Sequence, residues 1–403
     1  MRGHVRKRGN TWSVVVDLGT DENGRRRQKW HSGYRTKRDA SRGLTEILAR
    51  LQAGKYVEPS RQTLAEYLRE WLLAIMSTVR PGTWSSYRLN IERHVIARIG
   101  HIQLHQLGAM HFNALYSELL STGRCRGDGG LSPRTVRYTH TILHRALRDA
   151  VRWGLLTQNP AALADPPKHR AAEMQVWGVD EVRAFLHHAS AERLYALWLL
   201  LATTGLRRGE ALGLRWKDLE LDVGRAAIRQ TLSSVGGKLS FSTPKTAKSR
   251  RSVSLDPATV AALRAHRKAQ LTERLAWDLG YEDHGLVFCR ENGTPVRPDT
   301  LTRQFRDMAT DAGLRPLRIH DLRHTYATIA LSAGTHPKVV ADRLGHATIA
   351  VTLDTYSHVV PALQEQTANE LASLILGEEP SRTAAVGPIG IDQERKDPVE
   401  KRP

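Results

Sequence analysis

The sequence predicts a multidomain protein, mainly α with small β-sheets: a sheet-plus-helix segment, then a helical segment, then an α+β segment. Three observations predict it. The chain has 403 residues, room for several domains at about 100–200 residues each. Hydrophobic residues make up 40% and charged residues 25%, a balance that supports buried cores rather than wholesale disorder. Short β-branched runs beside turn residues occupy the front and middle of the chain, while apolar periodicity of helical spacing fills most of the rest.

The elements follow in order. Residues 12–18 (WSVVVDL) read as a strand. The run Thr20-Asp21-Glu22-Asn23-Gly24 is turn chemistry, and residues 25–31 form the return strand. Thr36 caps a helix whose apolar positions are Ala40, Leu44, Ile47, Leu48 and Leu51, and Gly54 ends it. Arg25, Arg26, Arg27, Lys29, Lys37 and Arg38 surround this small sheet and its helix. Such a ribbon can enter a major groove; a basic hairpin that only decorates the fold is the plainer alternative.

Pro59 and Ser60 read as a linker. Leu64, Tyr67, Leu68, Trp71 and Leu72 then share one helical face. Further helices are expected over 83–96 and 108–121, followed by a glycine-rich loop at 123–130. Ser132-Pro133 opens a fourth helix with Val136, Thr139, Ile142, Leu143, Leu147 and Ala150 on its apolar face. Asn159-Pro160 and Asp165-Pro166-Pro167 interrupt the chain. Residues 62–165 therefore read as a compact helical domain. Its Arg134, Arg137, Arg145, Arg148 and Arg152 lie along one helix, either as a phosphate-contacting face or as ordinary solvated arginines.

The third domain spans 173–376. Helices are expected over 180–189 and 193–204, with Gly205 as the stop. Strand-like text covers 225–232, 238–242 and 251–255, and Gly236-Gly237 signals a hairpin. Helices return at Pro257. Residues 361–376, with Leu363, Leu371, Leu374 and Ile375, read as a helix that docks on a neighbouring protomer. Residues 377–403, rich in proline and charge, read as a disordered tail.

Charge narrows the function classes. Residues 1–60 hold 14 Lys/Arg against 6 Asp/Glu, and residues 61–170 hold 15 against 7. Residues 171–403 hold 31 against 28, although the whole chain carries +19. The basic excess sits in the first 170 residues, which points to a polyanionic partner, nucleic acid before others. Cys125 and Cys289 are too few for a disulfide framework or a four-cysteine zinc site. No run of 18 apolar residues exists, so no membrane span is expected. MRGHVRKRGN lacks the apolar stretch of a signal peptide, so a cytoplasmic protein is expected.

Four short segments of the third domain carry chemistry. TGLRRGEALGLRW (204–216) places Arg207 and Glu210 three apart at a helix start, on one face. TPKTAKSRR (243–251) offers Lys245 and Lys248 between two strand-like runs. HDLRHTYATIA (320–330) places His320 and Arg323 three apart. Leu322, Tyr326, Ile329, Ala330 and Ala333 form the opposite apolar face, so the pair is expected to point away from the core. LGHATIAVTLDTYSH (344–358) holds His346 and Tyr356. His320 and His324, four apart, resemble half of a zinc site, but no Glu follows His320 as a hydrolytic zincin requires.

In that order these segments resemble the signature of the tyrosine recombinases, the phage-type integrases: an arginine ahead of an acidic residue, a hairpin lysine, His-x-x-Arg, Leu-Gly-His and a tyrosine ten residues on. Arg207, Lys245, His320, Arg323, His346 and Tyr356 occupy those positions, with Lys248 the alternative to Lys245. The resemblance extends over residues 1–376. It implies an arm-type DNA-binding domain at 1–56, a core-binding domain at 62–165 and a catalytic domain at 173–376. Its implied partners are double-stranded DNA, at core and arm attachment sites, and three further copies of the chain. It admits a host bending factor and an excision factor besides. Arg25, Arg26, Arg27, Lys29, Arg134, Arg137, Arg145 and Arg148 are the candidate DNA contacts.

Physical chemistry gives each residue a task. Two arginines supply permanent charge and forked donors matched to phosphate. A phenol, with its pKa near 10, needs a base or a positive field before it attacks, and His320 is the candidate base. Lys245 can protonate the leaving 5′ oxygen, and His346 can hydrogen-bond the scissile phosphate. The resemblance implies a 3′-phosphotyrosyl intermediate, which conserves the bond energy and requires no cofactor, ATP or metal. Two readings stay open beside integration or excision of a phage or mobile element: relaxation of DNA in the manner of a type IB topoisomerase, and a non-catalytic DNA-binding protein on the same scaffold.

Overall fold

A computed structural model describes residues 3–20, 24–52, 61–125, 127–169, 174–243, 250–346 and 348–355, together with positions 368, 371–372 and 375–376. The chain divides into two compact units, Met1–Ala171 and Ala172–Pro403.

The first unit begins with an antiparallel sheet of β1 (Gly3–Arg8), β2 (Thr11–Thr20) and β3 (Arg26–Tyr34), in that spatial order. Helix α1 (Lys37–Gln52) packs on it. Trp12, Val14 and Val16 alternate along the central strand and meet Ala40, Leu44, Ile47 and Leu48, as the two-residue strand period requires. The Thr36 cap forms as expected: its hydroxyl accepts from the Asp39 amide at 3.1 Å. Strand β1 was not expected. Its text, GHVRKR, has one large apolar residue, and pairing with β2 from Gly3↔Val16 to Arg8↔Thr11 makes it a strand.

A separate helical core in the same unit contains α2 (Leu64–Ala74), α3 (Pro81–Asn90), α4 (Ala97–Ile99), α5 (Ala109–Thr122) and α6 (Pro133–Arg152). Thr63 and Glu66 cap α2 reciprocally: the Glu66 carboxylate accepts from the Thr63 amide at 2.7 Å, and the Thr63 hydroxyl accepts from the Glu66 amide at 3.3 Å. The predicted faces of α2 and α6 are the buried ones. Trp71 Nε1 donates to Asp149 at 2.9 Å and joins the two helices across the core. The helix expected over 83–96 is interrupted by a π-helical turn, Ile91–Ile96, which buries Ile91, His94 and Val95.

The second unit contains α7 (Val179–His188), α8 (Tyr195–Thr204), α9 (Arg208–Leu212), then β4 (Leu219–Glu220), β5 (Arg225–Ile228), β6 (Thr231–Val235), β7 (Lys238–Ser242) and β8 (Arg251–Ser254), then α10 (Pro257–Trp277), α11 (Pro298–Asp311), α12 (Asp321–Ser332), α13 (Pro337–Leu344) and α14 (Ile349–Thr355). Helix α8 is apolar nearly all round and buried nearly all round, as a central helix should be. Its Trp198 joins Trp177, Phe185 and Phe305 in an aromatic cluster with ring centroids 5.2–6.0 Å apart.

The single strand expected over 225–232 is two strands in different sheets. β5 lies between β4 and β8, whereas β6, among the described residues, pairs with β7 alone. Gln230 makes the break: its side chain donates to the Gly213 carbonyl at 2.9 Å rather than continuing the sheet. The β6–β7 turn has Gly236 at φ +58° and Gly237 at φ +80°, the two positive values that the predicted hairpin turn demands. Among the described residues no helix is long and apolar enough to cross a membrane.

Candidate active site

The site is built on two helix ends that stop in the left-handed conformation. Helix α8 stops at Gly205, φ +63°, and α13 at Gly345, φ +69°. Gly205 is required twice over, because a Cβ there would also lie 2.6 Å from Leu344 Cδ2 and 2.7 Å from Tyr326 Cδ1. Arg323 joins the two ends. Its Nη1 donates to the Gly205 carbonyl at 2.9 Å and its Nη2 to the Leu344 carbonyl at 2.7 Å. Carbonyls at helix C-termini carry partial negative charge and welcome a cation.

Arg323 is only 3% exposed. The expectation that the His320–Arg323 pair points away from the core is therefore wrong for Arg323. The buried residues of α12 are Asp321, Leu322, Arg323, Thr325, Ala327 and Leu331. The charge is tolerated inside because two chain-distant carbonyls receive its donors.

Arg207 stands two residues after Gly205, at the N-cap of α9. Its Nη1 donates to Oε1 of Glu210 at 2.7 Å, and its backbone amide donates to Oε2 at 3.1 Å. Glu210 is buried and shared. Arg251, the first residue of β8, donates Nη2 to Oε2 at 3.0 Å and Nη1 to Oε1 at 3.3 Å. Arg251 also donates Nε to the Arg343 carbonyl at 2.6 Å. One buried carboxylate therefore sets the Arg207 and Arg251 guanidinium groups, and Arg251 in turn fastens β8 to the end of α13. Burial acts to raise the Glu210 carboxyl, but Arg251 and Arg207 outweigh it and hold it below its ordinary value.

The histidines stand in this positive field. Desolvation first, then Arg323 and Arg207, pushes His346 down to about 4. Desolvation and His320 push His324 down to about 4. His320 is lowered by desolvation and by Arg323, although the residue is open to solvent on one side. All three imidazoles are neutral at pH 7. His320 and His324 meet edge-on, with centroids 5.2 Å apart. Among the described residues no group of three His, Cys, Asp or Glu side chains is placed to hold a metal ion.

Four of the six predicted site residues, Arg207, His320, Arg323 and His346, thus come together from three separate segments. Lys245, its alternative Lys248, and Tyr356 lie outside the described residues. Sequence reasoning missed Arg251, whose partner Glu210 is 41 residues away. It also missed the contact of His346 Nδ1 with Thr352 Oγ1 at 2.8 Å.

The candidate DNA contacts fall on two surfaces. Arg26, on β3, pairs with Asp17 at 2.5 Å. Arg25 and Arg27 are exposed beside it and Lys29 is half-buried. Arg6 on the unexpected β1 lies 5.9 Å from the Trp30 ring, a basic-aromatic pairing that needed β1 to be seen. On α6, Arg134, Arg137 and Arg148 are exposed, whereas Arg145 is half-buried with its guanidinium 5.7 Å from the Tyr87 ring.

Comparison with known proteins matches three successive stretches. Residues 4–51 match an arm DNA-binding domain, residues 63–120 an N-terminal SAM-like domain of phage integrases, and residues 176–362 the phage integrase family. A XerC-like tyrosine recombinase of Caldanaerobacter subterraneus is 28% identical over 401 residues, covering 93% of this chain and 98% of that protein. An integrase of transposon Tn1549, solved with a circular intermediate DNA, has a similar fold: TM-score 0.62 at 19% identity, over 76% of this chain and 99% of that one. A lambda integrase tetramer bound to a Holliday junction gives 0.51 at 16%, over 85% and 95%. The order of these domains and the arginine–histidine cluster lead to one conclusion: the chain belongs to the phage integrase family of tyrosine recombinases, enzymes of site-specific DNA recombination.

Proposed function

We propose that Tyr356 attacks a DNA phosphodiester to form a 3′-phosphotyrosyl link, with Arg207 and Arg323 neutralising the non-bridging oxygens. The Tyr356 oxygen bonds to phosphorus as the bond to the 5′ oxygen breaks. The phenolic proton passes to His320, which is neutral at pH 7 and so able to receive it. Lys245 protonates the departing 5′ oxygen, and His346 donates to the phosphate. One phosphoester replaces another, so rejoining is the same chemistry in reverse.

The observation that carries this reading is the convergence of Arg207, Arg323 and His346 through the ends of α8 and α13. Two guanidinium groups and neutral imidazoles in one half-buried place suit an anion that gains charge in its transition state. Residues 1–56 then bind arm sites through the basic sheet. Residues 62–165, with the α6 arginines, grip the core site, residues 173–376 carry the chemistry and residues 377–403 form a tail. Four copies act together on two duplexes in the cytoplasm, at the nucleoid, to integrate or excise a phage or mobile element. The lambda integrase tetramer on its junction supports the number of copies.

The test is a nicked core-site duplex, its sequence taken from the junctions of the integrated element. A covalent protein–DNA adduct is expected, and Tyr356→Phe should abolish it. Binding without adduct would mark a DNA-binding scaffold; relaxation of supercoils without site preference would mark a topoisomerase.

A further inference from the structure

Helix α14 buries the wrong kind of residue. Ile349, Val351 and Leu353 are 38%, 42% and 40% exposed, while Thr352 is 0% exposed. An amphipathic helix docks by its apolar side chains; this one docks by a hydroxyl. That hydroxyl lies 2.8 Å from Nδ1 of His346. Three other helical threonines of the unit, Thr203, Thr204 and Thr302, send their hydroxyl hydrogen to the carbonyl four residues back.

The imidazole it meets is neutral at pH 7, because burial and the surrounding Arg323, Arg207, His324 and Arg251 disfavour a further positive charge. A neutral imidazole has one N–H and one lone pair, and the partner of one nitrogen decides which edge carries the hydrogen. If Nδ1 donated to Thr352, Nε2 would present a lone pair to an incoming phosphate and repel it. If Nδ1 accepts, Nε2 presents an N–H.

We propose that Thr352 is a positioning residue: its hydroxyl donates to His346 Nδ1, fixes the Nε2–H tautomer, and so makes His346 a hydrogen-bond donor to the scissile phosphate. The inference rests on the reading of His346 as a phosphate ligand. Thr352 stands four residues before Tyr356 in the sequence, and its bond ties helix α14 to His346.

Two measurements on the full chain test it. Histidine ¹⁵N and ¹³C spectra at pH 7 without DNA, with the His346 signals identified by loss in His346→Gln, should show Nδ1 unprotonated. Thr352→Val, which keeps the shape and removes the hydroxyl, should shift those signals toward the other tautomer; Thr352→Ser should restore them. Single-turnover cleavage of the nicked duplex should fall about tenfold or more in Thr352→Val, the scale of one hydrogen bond, and Thr352→Ser should recover most of the rate. A parent His346 protonated on Nδ1 would overturn the proposal, as would a Thr352→Val protein with unchanged tautomer or unchanged cleavage. If the parent forms no adduct yet the tautomer still depends on the Thr352 hydroxyl, the recombination role of His346 falls and the tautomer assignment stands.

Discussion

Replacing Glu210 with Gln should unfold the second unit at a markedly lower temperature. The carboxylate side chain is 4% exposed and receives Arg207 at 2.7 Å and Arg251 at 3.0 Å; the Arg251 side chain is itself 7% exposed. Removing one member of a buried ion pair costs about 3–5 kcal/mol, because the remaining charge stays out of water. Gln keeps the shape and one acceptor, which argues for the lower end, about 3 kcal/mol. In a unit of this size each kcal/mol moves Tm by about 2–4 °C, so a fall of about 6–12 °C is expected by circular dichroism on the full chain. The double variant Glu210→Gln, Arg251→Gln should lose less than the sum of the two single losses, since both remove the same bond. A Glu210→Gln protein melting within about 2 °C of the parent, or strict additivity in the double variant, would show that the pair does not hold the site together. Acid should act the same way. The Glu210 carboxyl is held low in the fold, so its contribution is complete at neutral pH and is lost as pH falls through that lowered value.

Two further outcomes follow from the same geometry. Gly205→Ala should lower the urea midpoint by the equivalent of about 2–5 kcal/mol, from the left-handed backbone and the clash with Leu344 and Tyr326; an unchanged midpoint would contradict the close approach. His324 and His346 titrate in the fold near 4, below their ordinary 6.5, so the unfolded chain binds more protons between those values. Stability without DNA should therefore drop as pH falls from about 6.5 toward 4, read as a lower urea midpoint at pH 5 than at pH 7.

What the sequence reveals depends on how far apart the interacting residues lie. Helix α6 is legible because everything that makes it lies within twenty-one residues: the Ser132 cap, Pro133 at the first turn, and apolar side chains from Val136 to Ala150. The order of the site motifs is legible for the same reason, each motif being local. Strand β1 is not, since Val5 is its one large apolar residue and its strand character comes from pairing with β2. The burial of Arg323 is not legible either. An arginine beside Leu322 reads as a surface charge until carbonyls 118 and 21 residues away arrive to receive it. Thr352 has the least visible role, because its helix carries apolar residues that by their pattern should have been the buried ones.

The two arginines proposed to hold the phosphate, Arg207 and Arg323, should separate in stability. Arg323 is 3% exposed and spreads two donors over two helix ends at 2.9 and 2.7 Å. A lysine ammonium retains the charge but not the planar fork, so Arg323→Lys forfeits at least one charge-assisted bond in a buried place, about 1.5–3 kcal/mol, or about 3–12 °C in Tm. The Arg207 side chain is 37% exposed and pairs with a carboxylate that retains Arg251 when Arg207 is changed. A pair of that exposure is worth about 0–1 kcal/mol, so Arg207→Lys should cost less than about 4 °C. On the proposed mechanism cleavage should fall in both, by roughly a hundredfold, because each replaces a guanidinium assigned to the phosphate oxygens. Arg323 thus frames the site by joining two helix ends, a structural task that Arg207 does not share. Equal melting losses, or the larger loss in Arg207→Lys, would show that the bridge between α8 and α13 does not depend on the Arg323 fork.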